Sequence, residues 1–224
     1  MLTQNDLTVP NANEVYSQVR HLDALRYVGF KDVGVPAAEL RALAERIHAD
    51  GKTVTLEVVS ESVEAEVRAV EVGLELGVDW LLGGTHPDEV APLLSGTDIV
   101  YCPFPGRIVG HPSNLRGTIE EIVEDARLLA ARPEVGGLDL LAYRYDGDVL
   151  TLVEQVVAAV DVPVITAGSI RTPEQIRDMQ RLGAWGFTIG AAVFDRELPT
   201  PDTTVAGQIA YVLELLESLE PRES

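Results

Sequence analysis

The chain holds only two lysines, Lys31 and Lys52, against 15 arginines, so a lysine in a special position carries weight. Lys31 lies in an apolar run, Tyr27–Asp32, and Glu57 lies in a second one, Thr53–Val59. Side chains of an extended strand alternate between its two faces. Val28 and Phe30 therefore share one face, leaving Gly29 and Lys31 on the other. Val54, Leu56 and Val58 likewise leave Thr53, Thr55 and Glu57 opposite them. If these runs are adjacent strands, Lys31 and Glu57 stand side by side at one end. A lysine and a carboxylate in a half-buried mouth perturb each other's pKa and can share proton transfers. Lys31 has three possible jobs: a point charge on a phosphate, a donor to a carbonyl, or a Schiff-base nucleophile. The last needs desolvation to lower its pKa, and an adjacent Glu57 or Asp32 opposes that. A structural ion pair is the plainer reading of the same two residues.

Other residues of interest follow predicted strands. Asn5 and Asp6 end the first one; they read either as mouth residues, with Asp6 as acid or base, or as a turn pair before Pro10. Thr85 and His86 follow Gly83-Gly84, where glycines permit close ligand approach and histidine titrates near neutrality. Thr-His-Pro-Asp is also a plausible helix entry. Tyr143 and Arg144 end another run, and strand alternation points only one of them at the mouth; Arg144 could hold a carboxylate or phosphate. Cys102 reads as a small buried hydrophobe before it reads as a nucleophile.

Two further stretches suit an anion. Residues 162–176 read VPVITAGSIRTPEQI, and 184–195 read AWGFTIGAAVFD. Each is a buried strand ending in small residues, where exposed backbone N–H groups can hold a phosphate.

The elements that must position these residues alternate. Strands are expected near Leu2–Asn5, Tyr27–Asp32, Thr53–Val59, Trp80–Gly83, Ile99–Phe104, Leu138–Arg144, Val164–Ala167 and Gly186–Ile189. Helical patterns lie between them at Ala12–Leu25, Ala37–Ala49, Ser62–Leu76, Pro87–Leu94, Thr118–Ala131, Val149–Val160, Thr172–Leu182 and Thr203–Leu219. Thr118 and Thr172 each open a capping-box pattern. Eight strands alternating with eight helices predict an α/β fold, a single (β/α)₈ barrel domain over residues 1–224. An open doubly wound sheet is the alternative if the terminal first strand fails. The long loop 105–117, after the fifth strand, is expected on the face where barrels carry their sites. It supplies Arg107, His111, Asn114 and Arg116 as candidate ligand contacts.

Bulk properties narrow the function. The net charge of −19 lacks the basic footprint of a nucleic-acid binder and disfavours anionic membranes. An anion-binding acidic protein must build a local electropositive site. No apolar run is long enough to span a bilayer. The opening Met1–Asp6 lacks the regions of a signal peptide, so a cytoplasmic protein is expected. One cysteine excludes an internal disulfide. No metal-ligand spacing, nucleotide-loop motif or nucleophile elbow is present, so no cofactor or metal is expected. A homodimer is expected on base rates alone.

The stretches Ala167-Gly168-Ser169-Ile170 with Thr172–Ile176, and Gly186–Phe194, resemble the ribulose-phosphate-binding barrel superfamily. That group includes histidine-biosynthesis isomerase and cyclase barrels, phosphoribosylanthranilate isomerase and sugar-phosphate epimerases. The resemblance implies that Gly168, Ser169, Gly190 and Ala191 hold a substrate phosphate. It covers about a seventh of the chain and identifies no member. The decarboxylase pattern Asp-x-Lys-x-x-Asp is missing, strand five ends Cys102-Pro103-Phe104 where the isomerases place an aspartate, and strand six has no lysine. No family catalytic set transfers. The expected function is an isomerase or epimerase moving a proton next to the carbonyl of a phosphorylated, sugar-like small molecule. Lys31, Glu57, Asp6 and His86 are its candidate catalytic residues. A Schiff-base lyase or aldolase using Lys31, and a non-catalytic phosphometabolite- or partner-binding barrel, are the alternatives.

Overall fold

The protein is seen in a computed structural model that describes residues 1–59, 62–110 and 112–219. The chain opens with a small antiparallel hairpin, β1 (Thr3–Gln4) and β2 (Leu7–Thr8), in the register Thr3↔Thr8 and Gln4↔Leu7. Helix α1 (Ala12–Val19) follows. Strands β3 (Tyr27–Lys31), β4 (Thr53–Val58), β5 (Trp80–Gly83) and β6 (Val100–Cys102) then pair in parallel in that order. They alternate with α2 (Ala37–Ala49), α3 (Val63–Leu76) and α4 (Pro87–Leu94). A second hairpin, β7 (Arg107–Val109) with β8 (Asn114–Arg116), precedes α5 (Ile119–Ala130). Strands β9 (Leu138–Leu140), β10 (Val164–Thr166) and β11 (Gly186–Phe187) form a second parallel run. Helices α6 (Val149–Ala159), α7 (Pro173–Leu182), α8 (Ala191–Phe194) and α9 (Val205–Ser218) complete the chain.

The two runs close into one ring. Gly136 N donates to Tyr101 O at 2.9 Å and Asp139 N to Pro103 O at 3.1 Å, joining β6 to β9. On the far side residues 1–4 act as the remaining stave. Leu2 N donates to Gly29 O at 2.6 Å, and Met1 N to Ile189 O at 2.8 Å. The fold is a single-domain TIM barrel, with sites expected at the C-terminal ends of its strands.

Burial follows the strand alternation. Val28, Phe30, Val54, Leu56 and Val58 are buried against the helices, as are Leu138 and Leu140. The capping boxes form as patterned: Thr118 with Glu121, and Thr172 with Gln175. At the opposite, N-terminal end, Trp80 and Trp185 stack with centroids 4.9 Å apart, and Tyr27 packs edge-on to both.

Three elements differ from expectation. Helix α1 stops at Val19, six residues before Leu25. There Lys52 Nζ donates to Leu22 O at 2.8 Å and Leu25 O at 2.7 Å, so a cation from another element satisfies carbonyls that a longer helix would have used. The 105–117 segment is a hairpin rather than an irregular loop. Strand β9 ends at Leu140, and Ala142–Arg144 turn in a single 3₁₀ turn. Strand parity therefore does not govern Tyr143 and Arg144.

Candidate active site at the barrel mouth

β3 and β4 pair in the register Lys31↔Glu57, which puts the two side chains on one level at the C-terminal end. Lys31 Nζ lies 3.4 Å from Glu57 Oε1 and 2.8 Å from Asp6 Oδ1. Asp6 reaches that place because Asn5 and Asp6 are the two central residues of the first hairpin, with φ of 52° and 60°. Two successive left-handed residues are what a two-residue hairpin turn requires, and Asn and Asp tolerate them best after Gly. Both sequence readings of this pair hold together: it is a turn, and it lies at the mouth.

Arg144 grips Asp6 with both terminal nitrogens, at 2.8 and 3.1 Å, and donates to Ser113 O at 3.2 Å. Burial pushes the Asp6 carboxyl up, but the hydrogen bonds from Arg144 and Lys31 outweigh it and leave the pKa at about 2. Asp6 is thus a stable anion and a weak base near neutral pH. Among the described residues Glu57 pairs with Lys31 at the longer distance, and its charge also acts on the buried Met1 amino group.

These residues line a pocket of about 410 Å³, together with Gly168, Ser169, Gly190 and Ala191 from the ends of β10 and β11. Among the described residues, none of the backbone N–H groups of those four has an acceptor. Gly168, at φ +86°, lies directly under Arg144; a Cβ there would sit 2.8 Å from Arg144 Cγ. At Gly190 a Cβ would sit 2.8 Å from Thr3 O. Only glycine lets the first stave and Arg144 approach this closely.

Asn5, Asn114, Tyr143 and Arg144 also line the pocket. Both residues of the 3₁₀ turn border the pocket; the Arg144 side chain reaches Asp6 there, whereas the Tyr143 hydroxyl is buried within the field of Asp178 on α7. Burial pushes the Tyr143 hydroxyl up to about 12. Four candidates lie outside the pocket lining, among them Arg116, which is 3.5 Å from Asp146. His86 Nδ1 is 2.7 Å from Glu66 Oε2, and the backbone N–H groups of Thr85 and His86 also donate to Glu66. Glu66 is a buried carboxylate that caps the entry to α4, so Thr85 and His86 serve that entry. Arg107 is exposed on β7. His111 lies outside the described residues. Burial pushes the Cys102 thiol well up, with the nearby Asp139 adding to it, which removes the thiolate a nucleophile needs.

Sequence reasoning passed over Asp139. It is fully buried on β9, and both carboxylate oxygens lack a partner among the described residues. Burial first, then the charge of Glu57, raises its pKa well above the ordinary carboxylate range, while Lys31 and Arg144 pull the other way. Asp139 is a buried carboxyl whose charged form its surroundings disfavour. The signal was available as one charge in the apolar string Leu138-Asp139-Leu140-Leu141. Arg171 and Asp195, 3.4 Å apart, were also missed as lining residues. Among the described residues no cluster suited to a metal ion is present.

Comparisons add the following. A family model described as nitronate monooxygenase matches residues 117–205, less than half of the chain. No curated protein matches. Among solved structures, orotidine 5'-phosphate decarboxylase from Pyrococcus horikoshii OT3 is similar at a TM-score of 0.63 and 12% identity, over 93% of this chain and 94% of that one. Mandelate oxidase with (S)-2-phenylpropionate is similar at 0.60 and 18%, over 91% of this chain and 65% of that one. The glycerol uptake operon antiterminator regulatory protein from Listeria monocytogenes is similar at 0.56 and 18%, over 81% and 89%. At these identities the likeness is one of fold, and unrelated functions share this fold.

Proposed function

We propose that this chain is a barrel enzyme that binds a phosphorylated, sugar-like metabolite and moves a proton next to its carbonyl, as an isomerase or epimerase. The observation that carries the reading is one pocket with two chemical ends: it is lined by Gly168, Ser169, Gly190 and Ala191, whose backbone N–H groups lack an acceptor among the described residues, and by Lys31, Glu57, Asp6 and Arg144. The N–H groups anchor the phosphate. Glu57 is the base, because Asp6 is too weak a base and Asp139 does not line the pocket. Lys31 faces the carbonyl oxygen and stabilises the enolate as charge develops there, commonly the largest catalytic contribution. Asp6 and Arg144 position Lys31. The β7–β8 hairpin, tied to Arg144 through Ser113 O, shields the site from water.

A general base contributes on the order of 10² to 10⁴ in rate. The test is deuterium uptake from D₂O into a panel of sugar phosphates, followed by NMR. Uptake next to the carbonyl, lost in Glu57→Gln with phosphate binding retained, supports the reading. No exchange with any panel member that binds refutes it. Borohydride trapping of a ligand on Lys31 would favour the lyase reading instead.

An oxidoreductase is the second reading. It rests on the nitronate monooxygenase match, whose span 117–205 contains both small-residue stretches. It predicts substrate-dependent oxygen consumption, which an isomerase lacks.

A further inference from the structure

We infer that the pocket selects ligands with a single anionic group, a monophosphate whose remaining part is uncharged, and discriminates against phosphocarboxylates and bisphosphates. The inference rests on the phosphate-binding reading above and concerns the ligand's other end.

Three cationic side chains line the pocket among the described residues, and each is already engaged. Lys31 is held by Asp6 at 2.8 Å and Glu57 at 3.4 Å. Both terminal nitrogens of Arg144 are on Asp6. Arg171 is 2.5 Å from Glu197 and 3.4 Å from Asp195. The lining carboxylates Asp6, Glu57 and Asp195 balance these cations one for one. The Met1 nitrogen is on Ile189 O.

A second anion at the Lys31 end of the pocket competes with Asp6 for Lys31 and Arg144. Drawing either away weakens the pairing of a carboxylate whose side chain is only 9% exposed, and an under-paired buried charge is costly. A phosphate at Gly168, Ser169, Gly190 and Ala191 breaks no ion pair, because those donors are free. An uncharged carbonyl or hydroxyl oxygen also fits the other end. An ammonium has three donors; Lys31 gives one to Asp6 and lies 3.4 Å from Glu57, which leaves donor capacity for a neutral oxygen. The pocket is thus ready for one charge and one polar, uncharged group.

The test compares two ligands of one carbon skeleton, glycerol 3-phosphate and 3-phosphoglycerate, with inorganic phosphate as reference. Calorimetric titration of the full chain in high salt screens the general repulsion from its net charge of −19. Glycerol 3-phosphate should bind at least as tightly as phosphate, and at least about tenfold more tightly than 3-phosphoglycerate, the ratio equivalent to one stranded-charge step of ~1.4 kcal/mol. In Asp6→Asn, Arg144 and Lys31 are released and the gap should close or reverse. Glu57→Gln, which removes the charge 3.4 Å from Lys31 and leaves the Asp6 grip in place, should narrow it. Equal or tighter binding of 3-phosphoglycerate by the unaltered protein overturns the inference while leaving the phosphate grip intact. Failure of all three ligands to bind overturns the phosphate reading itself, and this inference with it. An unchanged gap in both variants overturns the charge-balance explanation.

Discussion

Replacing Asp6 with Asn tests the triad at the barrel mouth. The Asp6 carboxyl sits at about 2 in the folded protein, against an ordinary value of 3.8. Each unit of difference is worth ~1.4 kcal/mol. A depressed folded pKa stabilises the protein above the unfolded value, and the stabilisation is lost as pH falls through the folded value. Asp6 should therefore contribute about 2 kcal/mol at pH 5 and above, about 1 near pH 3, and almost nothing by pH 1. In Asp6→Asn, Arg144 keeps only Ser113 O, and Lys31 keeps only Glu57 at 3.4 Å. The loss at pH 7 should thus be no smaller than that figure. Urea unfolding followed by circular dichroism reads it directly. With a slope of ~2 kcal/mol/M, the midpoint should fall by about 1 M at pH 7. Many other carboxylates titrate in the same window, so the informative quantity is the difference between the two proteins. That difference should shrink steadily from pH 5 to pH 2. A variant as stable as the parent at pH 7, or a difference that does not move with pH, would refute the ion-paired geometry.

Asp139→Asn should stabilise the protein at pH 7, because burial and the charge of Glu57 disfavour in the folded chain the carboxylate that the unfolded chain carries there; thermal unfolding should show the gain vanishing as pH falls to about 4, where the unfolded group is also protonated. A gain independent of pH would show that Asp139 is not protonated in the folded state. Gly168→Ala forces a left-handed alanine and pushes Arg144 aside, for a cost of roughly 1–3 kcal/mol and a drop in phosphate affinity. Unchanged titration isotherms for that variant would argue against a phosphate between β10 and β11. Both tryptophans of the chain stack at the N-terminal end of the barrel, away from the mouth. Ligands that fill the mouth should leave tryptophan emission unchanged, and a marked shift on phosphate addition would place the binding elsewhere.

The alternation of β3 and β4 was legible because both strands are long and their outward faces are uniformly apolar. Strand parity then fixed Lys31 and Glu57 without tertiary information. That Gly168, Ser169, Gly190 and Ala191 line the mouth was legible because small residues follow two apolar runs. What escaped depended on contacts distant in sequence. Nothing near Val19 shows that Lys52 will satisfy carbonyls at 22 and 25. Nothing near His86 shows that a buried Glu66, twenty residues earlier, will take its ring nitrogen. Parity does not apply at Tyr143 and Arg144 because it assumes a strand, and the chain there had already turned. Asp139 escaped for a different reason: its surroundings read as ordinary core, and a charge within core attracts attention only once it proves to lack a partner.

The first stave joins fold and site. Two residues of strand are too few to hold a barrel shut by ladder hydrogen bonds alone. Here the ring closes through single bonds from Leu2 to Gly29 and from Met1 to Ile189, and through Asp6, which ties the opening hairpin to Lys31 and, across 138 positions of sequence, to Arg144. The charges that balance the pocket are therefore the charges that close the barrel. Stability and ligand preference should move together in Asp6→Asn, which breaks the closure and frees both cations. They should separate in Glu57→Gln, which alters the pocket and leaves the Asp6 grip in place. Were Asp6 only a surface turn residue, neither pattern would appear; were it only a ligand contact, stability would not follow the acid titration.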